Sequence, residues 1–385
     1  MLRYAIMSRE LWVAVRLGMV CVAFHALSAI CLGQEAPFQS FEISPDKRIT
    51  FHYRDSGARS VLLTFDTLPK PIAMSKSNGI WSATTPPLAP EIYWYSFNVD
   101  GHDQLDPYTA ATLPSYLWYD NVVTVPGVKP QLWEADRIPH GSVHHHFYTS
   151  KLVKGLTDAQ SDYYVYTPPD YDPAGKQYPT LYLLHGFSMG ASDWVYPGSA
   201  NFILDHLIAE GKAKPMVVVM PLGYGAMGEF RPKDYSNFDA FWESSANRFS
   251  DVLLQEIMPR IAAEYHVSND RNMRAIGGLS MGGEQSIVIA LNHSDQFAWI
   301  GAFSSGMFGN LRSKLPTGFK GADMKLIWMI CGESDPDFKS NLELSGYLKE
   351  KQLPVSFVKI PGAHTWTVWH QGLIQFAPLL FQTSK

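Results

Sequence analysis

The sequence predicts two dissimilar parts in one chain: a small all-β sandwich, then an α/β domain built on a mostly parallel central sheet. Two observations carry this. Between Phe38 and Val125 apolar residues recur with period two, interrupted by turn residues. From about residue 140 onward, short apolar runs alternate with helical patterns. Between these regions, Pro126-Gly127-Val128-Lys129-Pro130 suits neither helix nor strand. The chain therefore divides into a sandwich over 38–125, a linker over 126–140 and an α/β domain over 141–385.

In the first part Ile49–Tyr53, Val61–Phe65, Ile80–Ala83 and Tyr93–Val99 read as strands, separated by turns at Asp55-Ser56-Gly57, Ser77-Asn78-Gly79 and Asp100-Gly101-His102. Within Tyr93–Val99 the odd positions make the core face. Trp94, Trp118 and Tyr119 could stack on a sugar, but rings beside a second domain more often cover the interface, and that reading is preferred. In the second part Tyr163–Thr167, Thr180–Leu184, Met216–Met220, Arg274–Gly277, Trp299–Phe303, Lys325–Ile330 and Val355–Ile360 are the strand runs. Asn201–Glu210 and Asn247–Tyr265 are examples of the helices between them.

Composition limits the function. Of 385 residues, 46% are hydrophobic and 17% charged, so the chain can bury a large core. The net charge of −5, with no run of Lys and Arg, argues against a protein that lives on phosphate contacts with nucleic acid. Residues 1–33 read as a secretory signal peptide: Arg3, Arg9 and Arg16 precede the short apolar stretch Leu17–Gly33. Ile30 before Cys31 argues against a lipoprotein signal. The expectation is a secreted or periplasmic protein without stable membrane association after cleavage. Cys21 and Cys31 leave with the signal, so Cys331 alone remains and the fold must rely on its core.

The chemistry lies in the α/β domain. Gly278-Leu279-Ser280-Met281-Gly282 follows a strand and opens a helix, a nucleophile elbow in which the turn has no room for side chains beside Ser280. A serine needs a base, and in this fold the order is Ser, acid, His. His364 follows strand Val355–Ile360 on a loop at the same sheet edge and is the expected base. His293 reads as a helix cap, and His370 as part of the next helix. Among Glu333, Asp335 and Asp337, Asp335 is taken as the acid because it lies far enough past its strand to turn toward His364, with Asp337 next. His185-Gly186-Phe187-Ser188-Met189-Gly190 follows strand Thr180–Leu184 and suits an oxyanion hole made by the backbone N–H groups of Phe187 and Met281, with His185 structural. Phe187, Trp194, Tyr224, Trp366 and Trp369 are candidates for the substrate wall. Adjacent His144, His145 and His146 on a strand alternate faces and cannot easily share a metal ion. Gly223–Gly228 lacks the ending of a phosphate loop. No metal or cofactor is implied.

Tyr178–Gly186, Trp194, Gly211–Pro221, Gly278–Gly283 and Gly362–Trp369 resemble the esterase D-like group of α/β-hydrolases, which includes carbohydrate esterase family 1 with its feruloyl and acetyl xylan esterases. The resemblance covers nearly all of 140–380. It implies an α/β-hydrolase fold and maps the family's serine, aspartate and histidine onto Ser280, Asp335 and His364. His370 departs from it, since many relatives have an arginine there. Phe41–Asp46, Gly79–Ser82 and Tyr93–Phe97 resemble a family-48-like carbohydrate-binding domain of immunoglobulin-like type. Together these imply an exported serine carboxylesterase acting on acyl or feruloyl esters of plant polysaccharide. The alternatives are a siderophore trilactone esterase and a non-catalytic carbohydrate-binding protein. The oligomeric state is not legible in the sequence.

Overall fold

The computed structural model describes residues 38–382 apart from 114, 118, 228–244, 246–247, 306–314 and 317–323. The expected signal peptide, Trp118, Gly228 and Asn247 lie outside the described residues. The N-terminal strands are β1 (Phe41–Ile43), β2 (Ile49–Arg54), β3 (Val61–Phe65), β4 (Ile72–Ala73), β5 (Ser75–Ser77), β6 (Ile80–Thr84), β7 (Glu91–Val99), β8 (His102–Gln104), β9 (Thr112–Leu113) and β10 (Asp120–Val125). One antiparallel sheet has the order β1-β2-β6-β5, the other β4-β3-β7-β10-β9 with β8 on β7. Phe51 of the first sheet meets Tyr95 of the second at 4.5 Å between ring centroids, inside one shared core.

The period-two pattern is sharp in β2 and β3 but blurred in β7, and the reason is packing. Tyr93, Tyr95, Phe97 and Val99 enter the sandwich core as expected. On the other face of β7, Ile92 is also buried, in a cluster with Trp133 and Trp366 from outside the sandwich. A strand covered on both faces loses its alternation.

The rest of the chain forms β11 (Ser142–Thr149), β12 (Gln160–Thr167), β13 (Thr180–Leu184), α1 (Ala200–Ala209), β14 (Val217–Pro221), α2 (Met258–Glu264), β15 (Arg274–Leu279), α3 (Met281–Asn292), β16 (Trp299–Phe303), β17 (Leu326–Gly332), α4 (Phe338–Glu350), β18 (Val355–Ile360) and α5 (Trp366–Phe376). The sheet order is β11-β12-β14-β13-β15-β16-β17-β18. β12 pairs antiparallel with both neighbours, while the pairs from β14 to β18 are parallel. Every residue of β13, β14 and β16 is buried, which is why these runs are apolar throughout. Alternate residues of β13 serve opposite faces. Tyr182 and Leu184 pack with α2, α3 and α4, while Leu181 and Leu183 pack with α1 and α5. The helix expected over Asn247–Tyr265 contains a π-turn, Leu253–Ile257, running into α2. Pro259 follows directly and cannot donate to the preceding turn, which accounts for the irregularity.

The sandwich and the α/β part belong to one unit spanning residues 41–385. The segment 126–140 is packed rather than slack: Trp133 is buried, its ring stacked 5.0 Å from that of His370 on α5. His370 is itself fully buried, with Nδ1 2.9 Å from Glu91 Oε1 at the start of β7 and Nε2 bonded to the Pro197 carbonyl. His145 meets Asp162 and His146 meets Tyr265, so these two neighbours on β11 turn to different partners. No helix among the described residues is long and apolar enough to cross a membrane.

Glu91→Ala would strand the His370 ring in an apolar interface. A loss of about 1–3 kcal/mol is expected, the usual cost of leaving a buried hydrogen-bonding group without its partner. Urea unfolding of the two proteins measures it, and coincident midpoints would show that this pair contributes nothing to docking.

Candidate active site

β15 ends at Leu279 and α3 begins at Met281, leaving Ser280 alone in the turn with φ +49° and ψ −117°. A non-glycine residue holds such a conformation only where its surroundings compel it. Here the Ser280 N–H donates to Phe303 O at 2.8 Å, and α3 packs tightly beneath. A Cβ on Gly278 or on Gly282 would lie 2.5 Å from the Leu184 carbonyl oxygen, so both glycines are demanded by the approach of helix to strand. The Ser280 side chain stands at the N-terminus of α3, whose dipole favours negative charge nearby.

His364 lies on the loop between β18 and α5. Its Nδ1 is 3.0 Å and 3.1 Å from the two oxygens of Asp335, on the loop after β17. Asp335 is buried, and Oδ1 also accepts the Asp337 N–H at 2.8 Å. Burial raises its carboxyl, but the His364 hydrogen bond and charge and the Asp337 N–H outweigh that and hold it below the ordinary value. Asp337 lies 3.9 Å from the same nitrogen and is partly exposed, and burial raises its carboxyl. The structure thus brings Asp335 rather than Asp337 onto the ring. Asp335, Asp337 and His364 are also the grouping among the described residues with donor atoms close enough to share a cation, within 4.8 Å. Their proximity is accounted for by the carboxylate–imidazole bonds.

The turn after β13 is braced from several sides. His185 is fully buried, which depresses its pKa to about 4, so the ring is neutral. Gly223 N–H donates to Nε2 at 2.8 Å, leaving the Nδ1 proton to donate to Gly186 O at 2.7 Å. The Tyr224 hydroxyl donates to Met189 O at 3.1 Å. At the tip, Ser188 has φ +66° and its carbonyl accepts the Tyr116 N–H at 2.8 Å and the Ser115 hydroxyl at 3.1 Å. Ser115 and Tyr116 come from the N-terminal part. These contacts fix Phe187, while Met281 is fixed as the first residue of α3.

Ser280 and His364 line a cleft of about 770 Å³, together with Phe187, Trp366 and Trp369. Trp94 and Tyr119 line it as well, and Tyr119 is 60% exposed, so the ring is not spent on covering an interface. Two of the expected wall residues are placed elsewhere. Trp194 is buried, with Nε1 bonded to Leu184 O and its ring edge-on to Trp366 at 5.4 Å. Tyr224 is fully buried behind the Gly186–Gly190 turn. Both support the walls from behind because their polar tips are used on main-chain carbonyls. Sequence reasoning missed Asp193, which also lines the cleft. Oδ2 accepts the Gly190 N–H at 2.7 Å, Oδ1 has no partner among the described residues, and burial pushes the carboxyl up to about 7.

Ser280 and the Asp335-bonded His364 thus share one cleft. The Esterase family model matches residues 157–380, more than half of the chain. The chain belongs to this family and is a carboxylic ester hydrolase. Over 364 residues it is 29% identical to an endo-1,4-beta-xylanase/feruloyl esterase of Xylanibacter ruminicola, an alignment that takes in 91% of this chain and 46% of that protein. The chain thus spans less than half the length of that relative. Among solved structures, the enterochelin esterase of Shigella flexneri superposes with a TM-score of 0.69 at 17% identity, covering 91% of this chain and 97% of that one. The CE1 ferulic acid esterase AmCE1/Fae1A of Anaeromyces mucronatus superposes with a TM-score of 0.55 at 23% identity, covering 64% and 93%. At these identities the likeness is one of fold.

A carboxyl raised from 3.8 to about 7 opposes folding increasingly as pH climbs through that window, with its full cost above it. Asp193→Asn keeps an acceptor for Gly190 and removes the charge. It should raise Tm by about 2–4 °C at pH 8 and much less at pH 4.5. Equal shifts at both pH values, read by calorimetry, would rule out the charge as the cause.

Proposed function

We propose that this chain is an exported serine carboxylesterase that hydrolyses feruloyl or other acyl esters on plant polysaccharide or derived oligosaccharides. The observation that carries the reading is the buried Asp335 carboxylate held on Nδ1 of His364, with His364 sharing a cleft with the strained Ser280. In this mechanism Ser280 Oγ attacks the ester carbonyl as His364 takes its proton. The oxyanion is held by the N–H groups of Phe187 and Met281. Collapse expels the alcohol, which receives its proton from His364. Water, deprotonated by the same ring, then attacks the acyl-serine and frees the acid. Asp335 keeps the imidazole oriented and stabilises its charged form. Phe187, Trp366 and Trp369 make an aromatic wall suited to a phenylpropenoyl acid.

The N-terminal region is proposed as an immunoglobulin-like sandwich of carbohydrate-binding ancestry, and the xylanase/feruloyl esterase relative supports a substrate derived from xylan. A second reading, cleavage of a siderophore trilactone, draws on the likeness to enterochelin esterase, which extends over most of the chain. An iron-loaded catecholate is an anion, and no Lys or Arg stands among the described residues lining the cleft, whereas Asp103, Asp120 and Asp193 do. That favours the polysaccharide ester. Values of kcat/KM on acetyl, feruloyl and trilactone esters separate the two readings.

Ser280→Ala should lower kcat at least about 10³-fold with the fold retained, and turnover near that of the wild type would remove Ser280 as nucleophile. Asp335→Asn should lower it by up to about 10⁴-fold at neutral pH, and Asp337→Asn by far less, since Asp337 is partly solvated and more distant. The opposite ranking would transfer the acid's role to Asp337.

A further inference from the structure

His370 is fully buried, and both of its hydrogen-bond partners are acceptors. Nδ1 lies 2.9 Å from Glu91 Oε1, an oxygen that also takes the Ile92 N–H at 2.8 Å. Nε2 lies 3.3 Å from the Pro197 carbonyl oxygen, which has no proton to give. A neutral imidazole has one N–H and one lone pair, so it can satisfy only one of these neighbours. With a proton on each nitrogen both bonds form, and the Glu91 carboxylate supplies the balancing charge. The aromatic surroundings agree. The Trp133 ring lies parallel to that of His370 at 5.0 Å and 10°, and the Trp366 ring is tilted beside it at 5.5 Å. Such rings attract a cation.

We infer that His370 is held as an imidazolium and is a positioning residue for the proposed ester hydrolysis, fixing α5 and through it the His364 ring and the aromatic wall of the cleft. This rests on the esterase reading of Ser280 and His364.

The route from His370 to the reacting groups is short. Trp369, its neighbour on α5, stands edge-on to the His364 ring at 5.2 Å and 90°. Trp369 in turn meets Trp366 at 5.2 Å and 86°, and both line the cleft with Ser280. A rotation of α5 would thus be felt at the imidazole as well as at the wall. Glu91 faces the ring from β7, the Pro197 carbonyl from the turn before α1, Trp133 from the 126–140 segment and Trp366 from α5 itself. Asp66 and Tyr93 lie near enough to Glu91 to feel its charge, and burial raises the Asp66 carboxyl well above its ordinary value. Among the described residues no lysine or arginine pairs with Glu91, so His370 is its counter-ion. A buried pair of this kind contributes register more than stability.

The test uses the full chain with isotopically labelled histidine, read by nitrogen NMR at neutral pH. The His370 signals are those lost in His370→Gln or shifted in Glu91→Gln. Wild type is expected to carry a proton on both ring nitrogens, and Glu91→Gln, which keeps the size and removes the charge, on one only. A wild-type ring with a single protonated nitrogen would overturn the inference. Hydrolysis of p-nitrophenyl acetate, with rates divided by the serine that a fluorophosphonate titrates, reads the positioning. For His370→Gln a fall of about 10-fold in kcat is expected, with KM within about 2-fold of wild type. An unchanged kcat would overturn the inference. So would a loss that disappears once rates are expressed per titrated serine, because the residue would then be merely structural. Where His370→Gln does not accumulate as folded protein, Glu91→Gln carries the same comparison, with a fall of about 3-fold expected and an unchanged kcat again decisive against it. A wild-type chain that hydrolyses no ester and leaves the fluorophosphonate unreacted would instead remove the esterase reading, and the positioning role with it, whatever charge the ring carries.

Discussion

The site depends on one close contact, the seating of the first turn of α3 against the carbonyl end of β13. Gly278 and Gly282 both point at the Leu184 oxygen with no room for a methyl group. That oxygen is also the acceptor for the Trp194 indole. The residue after it opens the turn that carries Phe187. The proposed nucleophile and oxyanion donors are therefore registered through a single peptide group. A shift of α3 away from the sheet would move Ser280 and Met281 together relative to Phe187, and catalysis by preorganised donors is sensitive to such displacements.

The sandwich takes part in the same registration. It reaches the α/β part at two functional points: the tip of the Phe187 turn, through Ser188, and the helix after His364, through His370. Both contacts are polar and lie within an otherwise apolar junction containing Ile92 and Trp133. Polar contacts of this kind contribute orientation, because an apolar junction alone tolerates sliding. Loss of the sandwich would thus free one lip of the cleft and loosen the oxyanion turn at the same time. The second effect would be felt by esters too small to touch the sandwich.

Much of this was legible in the sequence, with identifiable exceptions. The central strands of the α/β part announce themselves because burial on both faces demands continuous apolar runs, and Thr180–Leu184 and Trp299–Phe303 coincide with β13 and β16, while Val355–Ile360 coincides with β18 at the sheet edge, where no residue is fully buried and Ser356 and Lys359 are exposed. The elbow is legible because its glycines answer a local steric demand. The choice between Asp335 and Asp337 is poorly legible, since both follow one strand and only the turn beyond Gly332 decides which is buried. Trp194 and Tyr224 illustrate a general limit: an aromatic residue beside a motif can face the cleft or brace it from behind, and composition is the same in either case. The bond between Glu91 and His370 joins residues 279 apart and has no local signature. The Tyr116 contribution is a main-chain N–H, which no side chain reports.

Two buried carboxyls near the reacting centre are driven in opposite directions, and the difference follows from their partners. Asp335 has the imidazole and an N–H on its oxygens, and these overcome the cost of burial. Asp193 has one N–H and an unpartnered oxygen, and burial prevails. In the proposed mechanism a charged Asp335 favours the imidazolium that forms when Ser280 attacks. A charged Asp193, bonded to Gly190 at the end of the turn that carries Phe187, would oppose the negative charge that the proposed mechanism develops against Phe187 and Met281. Burial that keeps Asp193 largely protonated below neutral pH removes this opposition while preserving the hydrogen bond that shapes the turn. The apolar packing around Trp194 and Tyr224 thus acts on the chemistry indirectly, by setting which of two nearby acids carries charge.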